Sequence, residues 1–183
     1  MERDPELVER IEGISLMGGS TDIGNVTAVA EFNIWADPEA AKIVMDSGAP
    51  IRMCGLNVTR QWLSDDTVAA RLEEGELVKA RVGAAILDDI HDRMEALGRG
   101  RQSALHDPCA VLAVTHPALF QFEPRHVTVE TKGVYTRGMT VVDERTTPGI
   151  PEANVEVGYR IDSTTALEPV SYTHLRAHET LRY

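Results

Sequence analysis

The chain has 183 residues, 43% of them hydrophobic and 26% charged, a composition suited to one globular domain with a real core. Its net charge of -11 excludes a nucleic-acid binder, which needs a basic face against the phosphates. No apolar run is long enough to cross a bilayer, and "MERDPELVER" lacks the apolar centre of a signal peptide, so a cytoplasmic protein without membrane partners is expected.

Short apolar runs alternate with helical stretches, the pattern of an α/β fold. "GISLMGG" (13–19) reads as a buried strand ending in a glycine turn. "DPEAAKIVMDSG" then carries helix punctuation, with Asp37 as cap, Pro38 in the first turn and Gly48 past the end. "PIRMCGL" (50–56) is the next strand. Ser64 to Glu74 reads as a helix capped by Ser64 and ended by Gly75. A longer helix follows over 76–97, with Val78, Val82, Ile86, Ile90 and Met94 as an apolar stripe. After the loop "GRGRQSA", Asp107 and Pro108 repeat the Asp37–Pro38 device. From Arg125 the pattern turns β-rich, and "HVTVET" and "MTVVDE" are expected to form a hairpin, with "NVEVGYRID" a further strand. Cys54 and Cys109 lie in separate apolar segments without CxxC spacing, so they read as buried thiols in a reducing compartment.

Three polar clusters could carry chemistry. "NVTAVAEFNIW" sets Asn25, Glu31 and Asn33 in an otherwise apolar stretch expected to be buried, where a carboxylate is costly unless something bonds to it. Two readings stand: a polar network serving loop backbone groups, or a grip on vicinal hydroxyls. His106–Asp107 is either a helix cap beside a loop histidine, or a hard-cation ligand next to a proton donor. In "LDDIHD", Asp88, Asp89 and Asp92 fall on or beside the face opposite the apolar stripe, so a solvated surface is the reading preferred over a metal.

Taken in order, "LMGGS", "GNVTAVAEFNIWADPEAAKIVMDSG", "PIRMCGLNVTRQ", "LHDPCAVLAVTHPALF" and "VTVETKGVYTRGMTVVDER" resemble the inosine-uridine preferring nucleoside hydrolases over about Pro5 to Asp162. The resemblance implies an open, mostly parallel α/β sheet with flanking helices and a site at the carboxyl ends of the strands. It implies hydrolysis of the N-glycosidic bond of ribonucleosides with a bound calcium ion, and a homo-oligomer for the complete protein. It assigns Asn25, Glu31 and Asn33 to the ribose hydroxyls, where they would steady the oxocarbenium-like charge. Phe32 and Met17 would line the same pocket, His106 would act as general acid near the base, and Asp107 would be one calcium ligand. Calcium would lower the pKa of a bound water and orient it for attack.

The chain departs from the family at both ends. The aspartate cluster DxDxxxDD, which supplies the remaining calcium ligands and the general base, is absent. Residues 1–169 therefore read as a partial domain, Met1 as an internal methionine or a misassigned start, and no hydrolysis is expected from this chain alone. "VSYTHLRAHET" (170–180) resembles a translated sequencing-library adapter, so 170–183 is expected to be a non-native tail that packs against nothing. His174 and His178 are not read as a metal pair, because the HExxH pattern is missing. Two alternatives stand beside the hydrolase half: a non-catalytic nucleoside-binding remnant, and a fragment without function.

Overall fold

A computed structural model describes residues 4, 6–74 and 78–167, and these described residues fall into two compact units, one drawn from 1–61 and 106–161 and the other from 62–105 and 162–183. The tail from Val170 and the expected helix stop at Gly75 lie outside the described residues.

In the first unit a short helix, α1 (Leu7–Arg10), leads into strand β1 (Ile14–Met17). Helices α2 (Phe32–Ala36) and α3 (Pro38–Met45) follow. Asp37 accepts a hydrogen bond from Ala40 N at 2.9 Å, as the Asp–Pro pair implies, and Gly48 sits at φ +77° just past the helix. Strand β2 (Ile51–Cys54) runs into the single-turn α4 (Leu56–Thr59). In the second unit come β3 (Leu63–Asp65), α5 (Asp66–Glu73), α6 (Val78–Ala96) and β4 (Gln102–Ala104). The first unit resumes with α7 (Asp107–Thr115), a 3₁₀ turn (Pro117–Leu119), β5 (Phe120–Arg125), β6 (Val127–Val129), β7 (Thr140–Val142) and β8 (Val155–Ile161).

The sheet order is β1-β2-β8-β5, with β1, β2 and β8 mutually parallel and β5 antiparallel at one edge. This is the expected open, mostly parallel sheet. Strand β5 itself was not legible as a strand, since Pro124 breaks its pattern; an edge position tolerates the missing N–H donor. The expected hairpin forms, β6 pairing β7 with Val127 opposite Val142 and Val129 opposite Thr140. Alternation along β2 divides its two faces. Ile51 and Met53 join Ile34, Met45, Val127, Val129, Val155 and Val157 in one apolar cluster. On the other face Arg52 donates to Ala113 O of α7 at 2.8 Å, and Ser15 of β1 donates to Ala110 O at 2.6 Å. Helix α7 therefore lies against these strands, and the 2.7 Å contact between His106 and Thr59, just past β2, brings its first turn to their carboxyl ends.

The second unit corrects two sequence readings. Ser64 is not a helix cap: it is buried in β3, which pairs antiparallel with β4 inside the expected loop. Helix α5 begins later, capped by Asp65, whose Oδ1 accepts from Thr67 N at 3.0 Å and Val68 N at 3.3 Å. The first half of the aliphatic stripe of α6 is not packed either, although Ile90 and Met94 further along it are half-buried. Val78, Val82 and Ile86 are 69%, 52% and 55% exposed, and the buried residues of that helix are Ala80, Ala84 and His91. Small side chains let α5 and α6 approach closely, so the buried face follows size rather than hydrophobicity.

Candidate active site

The carboxyl ends of β1 and β2 are tied together before any side chain is considered. Gly18 N donates to Cys54 O at 3.3 Å, and Leu56 N to Gly19 O at 2.8 Å. Gly19 holds φ +72°, and a Cβ there would sit 2.6 Å from Thr140 Cγ2, so the turn requires glycine. Thr140 closes the turn from the hairpin, accepting from Ser20 N at 2.9 Å and donating to Ser20 O at 2.7 Å.

Onto this platform the chain brings the residues singled out from its sequence. Glu31 is 3% exposed, and its Oε2 accepts from Gly19 N and from Ile34 N, both at 3.1 Å. The carboxylate thus caps α2 and pins it to the end of β1. Asn33 Nδ2 donates to Met17 O and touches Met17 Sδ, each at 3.3 Å, while Asn25 Oδ1 accepts from Phe32 N at 2.9 Å. The surrounding stretch is not buried as its apolar content suggested: Asn25, Asn33 and Phe32 are exposed, Phe32 by 54%. Phe32 stands beside Trp35, ring centroids 6.3 Å apart, so an aromatic rim borders the polar groups.

The first turn of α7 supplies the opposite side. His106 is half-buried, and its Nδ1 lies 2.7 Å from the Oγ1 of Thr59, a fully buried residue at the end of α4. Burial is the chief cause that lowers the His106 pKa; the charges of Asp107 and Glu31 work against it, and that of Arg60 works with it. His106 therefore lies within electrostatic reach of Glu31 and Asp107. Asp107 is exposed and is not the cap that its sequence position suggested. Helix α7 starts at Asp107 itself, His106 takes the cap position, and no side-chain cap bond forms. Its carboxylate is left for another use.

One regularity runs through these residues. Each polar side chain spends one atom on the fold and keeps another unbonded among the described residues: Oε1 of Glu31, Oδ1 of Asn33, Nδ2 of Asn25 and Nε2 of His106. Thr59, Gly19 and Trp35 belong to this site but were missed in the sequence. Only Gly19 carried any signal, as a glycine directly after a strand.

A profile of the family described as "Inosine-uridine preferring nucleoside hydrolase" matches residues 1–168. The chain belongs to that family. The pyrimidine-specific ribonucleoside hydrolase RihA of Shewanella woodyi is 44% identical over 160 residues, covering 86% of this chain and 51% of the relative. RihA of an Enterobacter species is 48% identical over 142 residues, 76% of this chain and 45% of the relative. The chain spans about half the length of these curated relatives. Among solved structures, a purine-preferring ribonucleoside hydrolase from Gardnerella vaginalis superposes with a TM-score of 0.85 at 32% identity, covering 94% of this chain and 55% of that one. The plant nucleoside hydrolase PpNRh1 gives the same TM-score, 0.85, at 24% identity over 96% of this chain and 57% of that one, a likeness of fold.

Like open α/β sheets in general, which bind ligands at the carboxyl ends of their parallel strands, the chain places its candidate residues there. The calcium that the family resemblance implies needs about six to eight oxygen ligands. Of the implied set this chain offers the Asp107 carboxylate, and among the described residues no group of three metal-binding side chains includes it. The residues present do not by themselves form a calcium site, and no chemical step is routed through one.

Proposed function

We propose that this chain carries the ribose-gripping half of a ribonucleoside hydrolase site, which cleaves an N-glycosidic bond once the rest of the protein supplies the metal centre. The observation that carries the reading is Glu31. A buried carboxylate is anchored through one oxygen, and the other remains available beside two amides and a histidine. Vicinal hydroxyls of a ribose would donate to Glu31 Oε1 and Asn33 Oδ1 and accept from Asn25 Nδ2. As the bond to the base breaks, positive charge grows on the sugar, and a preoriented carboxylate stabilises it more than it stabilises the neutral substrate. His106, held through Nδ1, presents Nε2 to a leaving base that must take up a proton. Burial makes its imidazolium a readier proton donor, while reducing the protonated fraction at neutral pH. Phe32 and Met17 would border the nucleoside. Because the related RihA proteins are pyrimidine-specific by name, uridine and cytidine are the first substrates to test. A cytoplasmic location and a homo-oligomeric complete protein belong to the same proposal.

The test is reconstitution. Residues 1–169 are expressed alone, and then with the complementary half of the Shewanella woodyi relative, and base release from uridine, cytidine and inosine is measured with and without a chelator. Turnover that appears on complementation, is lost to chelator and falls with Glu31→Gln is expected. Chelator-sensitive turnover by the isolated chain, or full activity of the Glu31→Gln complex, overturns the assignment.

A further inference from the structure

The acidic helix segment "LDDIHD" has a part to play that its sequence did not disclose. Asp88, Asp89 and Asp92 are exposed as expected, but His91 is turned inward and its side chain is 0% exposed. Its Nε2 lies 3.0 Å from Ser64 Oγ, which also contacts Ser103 O at 3.2 Å and Ser103 Oγ at 3.1 Å. Ser103 O only accepts, so when Ser64 donates to it the single hydroxyl proton is used there. Nε2 then supplies the proton of the Ser64–His91 bond, and this is the tautomer on which the site rests. In the neutral ring this leaves Nδ1 as a bare lone pair, and Nδ1 has no hydrogen-bond partner. What it faces is Asp66 Oδ1 at 3.4 Å, longer than an N–H···O bond.

A buried lone pair set against a carboxylate is a repulsive contact unless positive charge lies between them. That charge is a proton or a metal ion. A proton would require only Asp66. Yet Asp88, one turn before His91 on the same face of α6, brings a second carboxylate, and the ligand atoms of all three residues lie within 4.8 Å of one another. A tetrahedral ion with bonds of about 2.1 Å has ligand–ligand edges of about 3.4 Å, the separation of Nδ1 and Oδ1 here. The outer shell is in place as well. Ser64 fixes the tautomer of His91, and Arg101 Nε contacts the two oxygens of Asp66 at 3.1 and 3.0 Å, leaving other lone pairs of that carboxylate for an ion. Arg101 also pairs with Asp92, and its bonds to Asp66 hold that carboxyl below the usual range.

We propose that His91 Nδ1, Asp66 and Asp88 form a site for a divalent cation of the zinc class, with water as fourth ligand. One imidazole with two carboxylates suits zinc or cobalt rather than calcium, which takes oxygen ligands throughout. Bound there, the ion joins the start of α5 to the middle of α6 and gives His91 the partner it lacks.

The experiment is a cobalt(II) titration of the full chain, followed by visible absorption and then by displacement with zinc. One equivalent of cobalt with tetrahedral d–d bands, displaced by zinc, is expected. Asp88→Asn alters an exposed side chain, so its circular dichroism should be unchanged, while its cobalt affinity falls at least about ten- to a hundredfold. Replacing His174 and His178 together by alanine should leave the affinity unchanged. In ¹⁵N-histidine spectra the Nδ1 signal of His91 should move with zinc. Absence of cobalt uptake overturns the proposal, and so does equal affinity in the wild type and Asp88→Asn, because Nδ1 of His91 then faces Asp66 through a hydrogen and not through an ion. His91→Gln removes a buried group that Ser64 depends on, so the Asp88 variant decides the question even if that protein does not fold.

Discussion

Replacing Glu31 by glutamine separates what this residue does for the fold from what it is proposed to do for a substrate. Oε2 of Glu31 accepts two backbone N–H bonds at 3.1 Å in a buried setting, one from Gly19 and one from Ile34. Bonds to a charged acceptor contribute about 1.5–3 kcal/mol each, and bonds to a neutral acceptor about 0.5–1.5. Glutamine keeps an oxygen that can accept both, so the loss is the difference, roughly 1 kcal/mol per bond and about 2 kcal/mol in all. With a urea slope of about 2 kcal/mol per molar, the midpoint should fall by roughly 1 M. Asp37→Asn is the control. It alters the same kind of cap on α3, but at an exposed carboxylate with one bond to Ala40 N, and should cost no more than about 1 kcal/mol. Urea unfolding followed by far-ultraviolet dichroism measures both variants. If Glu31→Gln costs no more than Asp37→Asn, the buried carboxylate does not hold the loop as described. In the reconstituted enzyme the same substitution should lower kcat by about a hundredfold or more with a smaller change in KM, since the charge matters most in the transition state.

Two further outcomes follow from the packing. Burial pushes the thiols of Cys54 and Cys109 up to about 12, so at pH 8 roughly one in ten thousand is thiolate; iodoacetamide should leave both unmodified in the folded chain and label both in urea, and rapid labelling of either natively would contradict their placement. Thr59→Val removes the hydroxyl at 2.7 Å from His106 Nδ1, a bond worth about 0.5–1.5 kcal/mol, and should change the tautomer ratio of that ring by up to about tenfold in ¹⁵N spectra. Thr59→Ser should restore the ratio, and identical spectra for all three proteins would remove Thr59 as the residue that orients His106.

How much of this was legible in the sequence depends on the range of the forces involved. Helix α3 could be read because its punctuation is local: Asp37, Pro38 and Gly48 act within one turn of themselves. The hairpin and the parallel strands could be read from alternation and apolar runs. The three-residue strands β3 and β4 could not, because nothing within "LSD" or "QSA" specifies a partner 39 residues away. Ser64 before two aspartates looks like a helix cap, and only tertiary contacts with Ser103 and His91 give its hydroxyl another task. The stripe of α6 misled for a related reason. Periodicity identifies the more hydrophobic face, but the packed face follows the partner, and here the buried positions are alanines and a histidine. The family resemblance named residues that the fold brings together at strand ends, yet it said nothing of Thr59, whose contact with His106 spans 47 residues of the chain.

The alternative posed by the polar cluster, structural network or ligand grip, dissolves at the level of atoms. Glu31 uses Oε2 for Gly19 and Ile34, Asn33 uses Nδ2 for Met17, Asn25 uses Oδ1 for Phe32, and His106 uses Nδ1 for Thr59. In each case the folding bond fixes the side chain's orientation, and the second polar atom of the same group is left without a partner among the described residues. For the proposed ribose ligand, these groups would have spent their ordering entropy during folding, which is what preorganisation requires. This division also decides which substitutions are informative. Alanine removes both atoms at once and confounds stability with binding, leaving Gly19 N and Ile34 N unsatisfied in the case of Glu31. An isostere such as glutamine at 31 preserves the anchored atom in kind and changes the unspent one. A cost in folding then reads the first atom and a cost in turnover reads the second, so a single residue can serve both readings without either being weakened by the other.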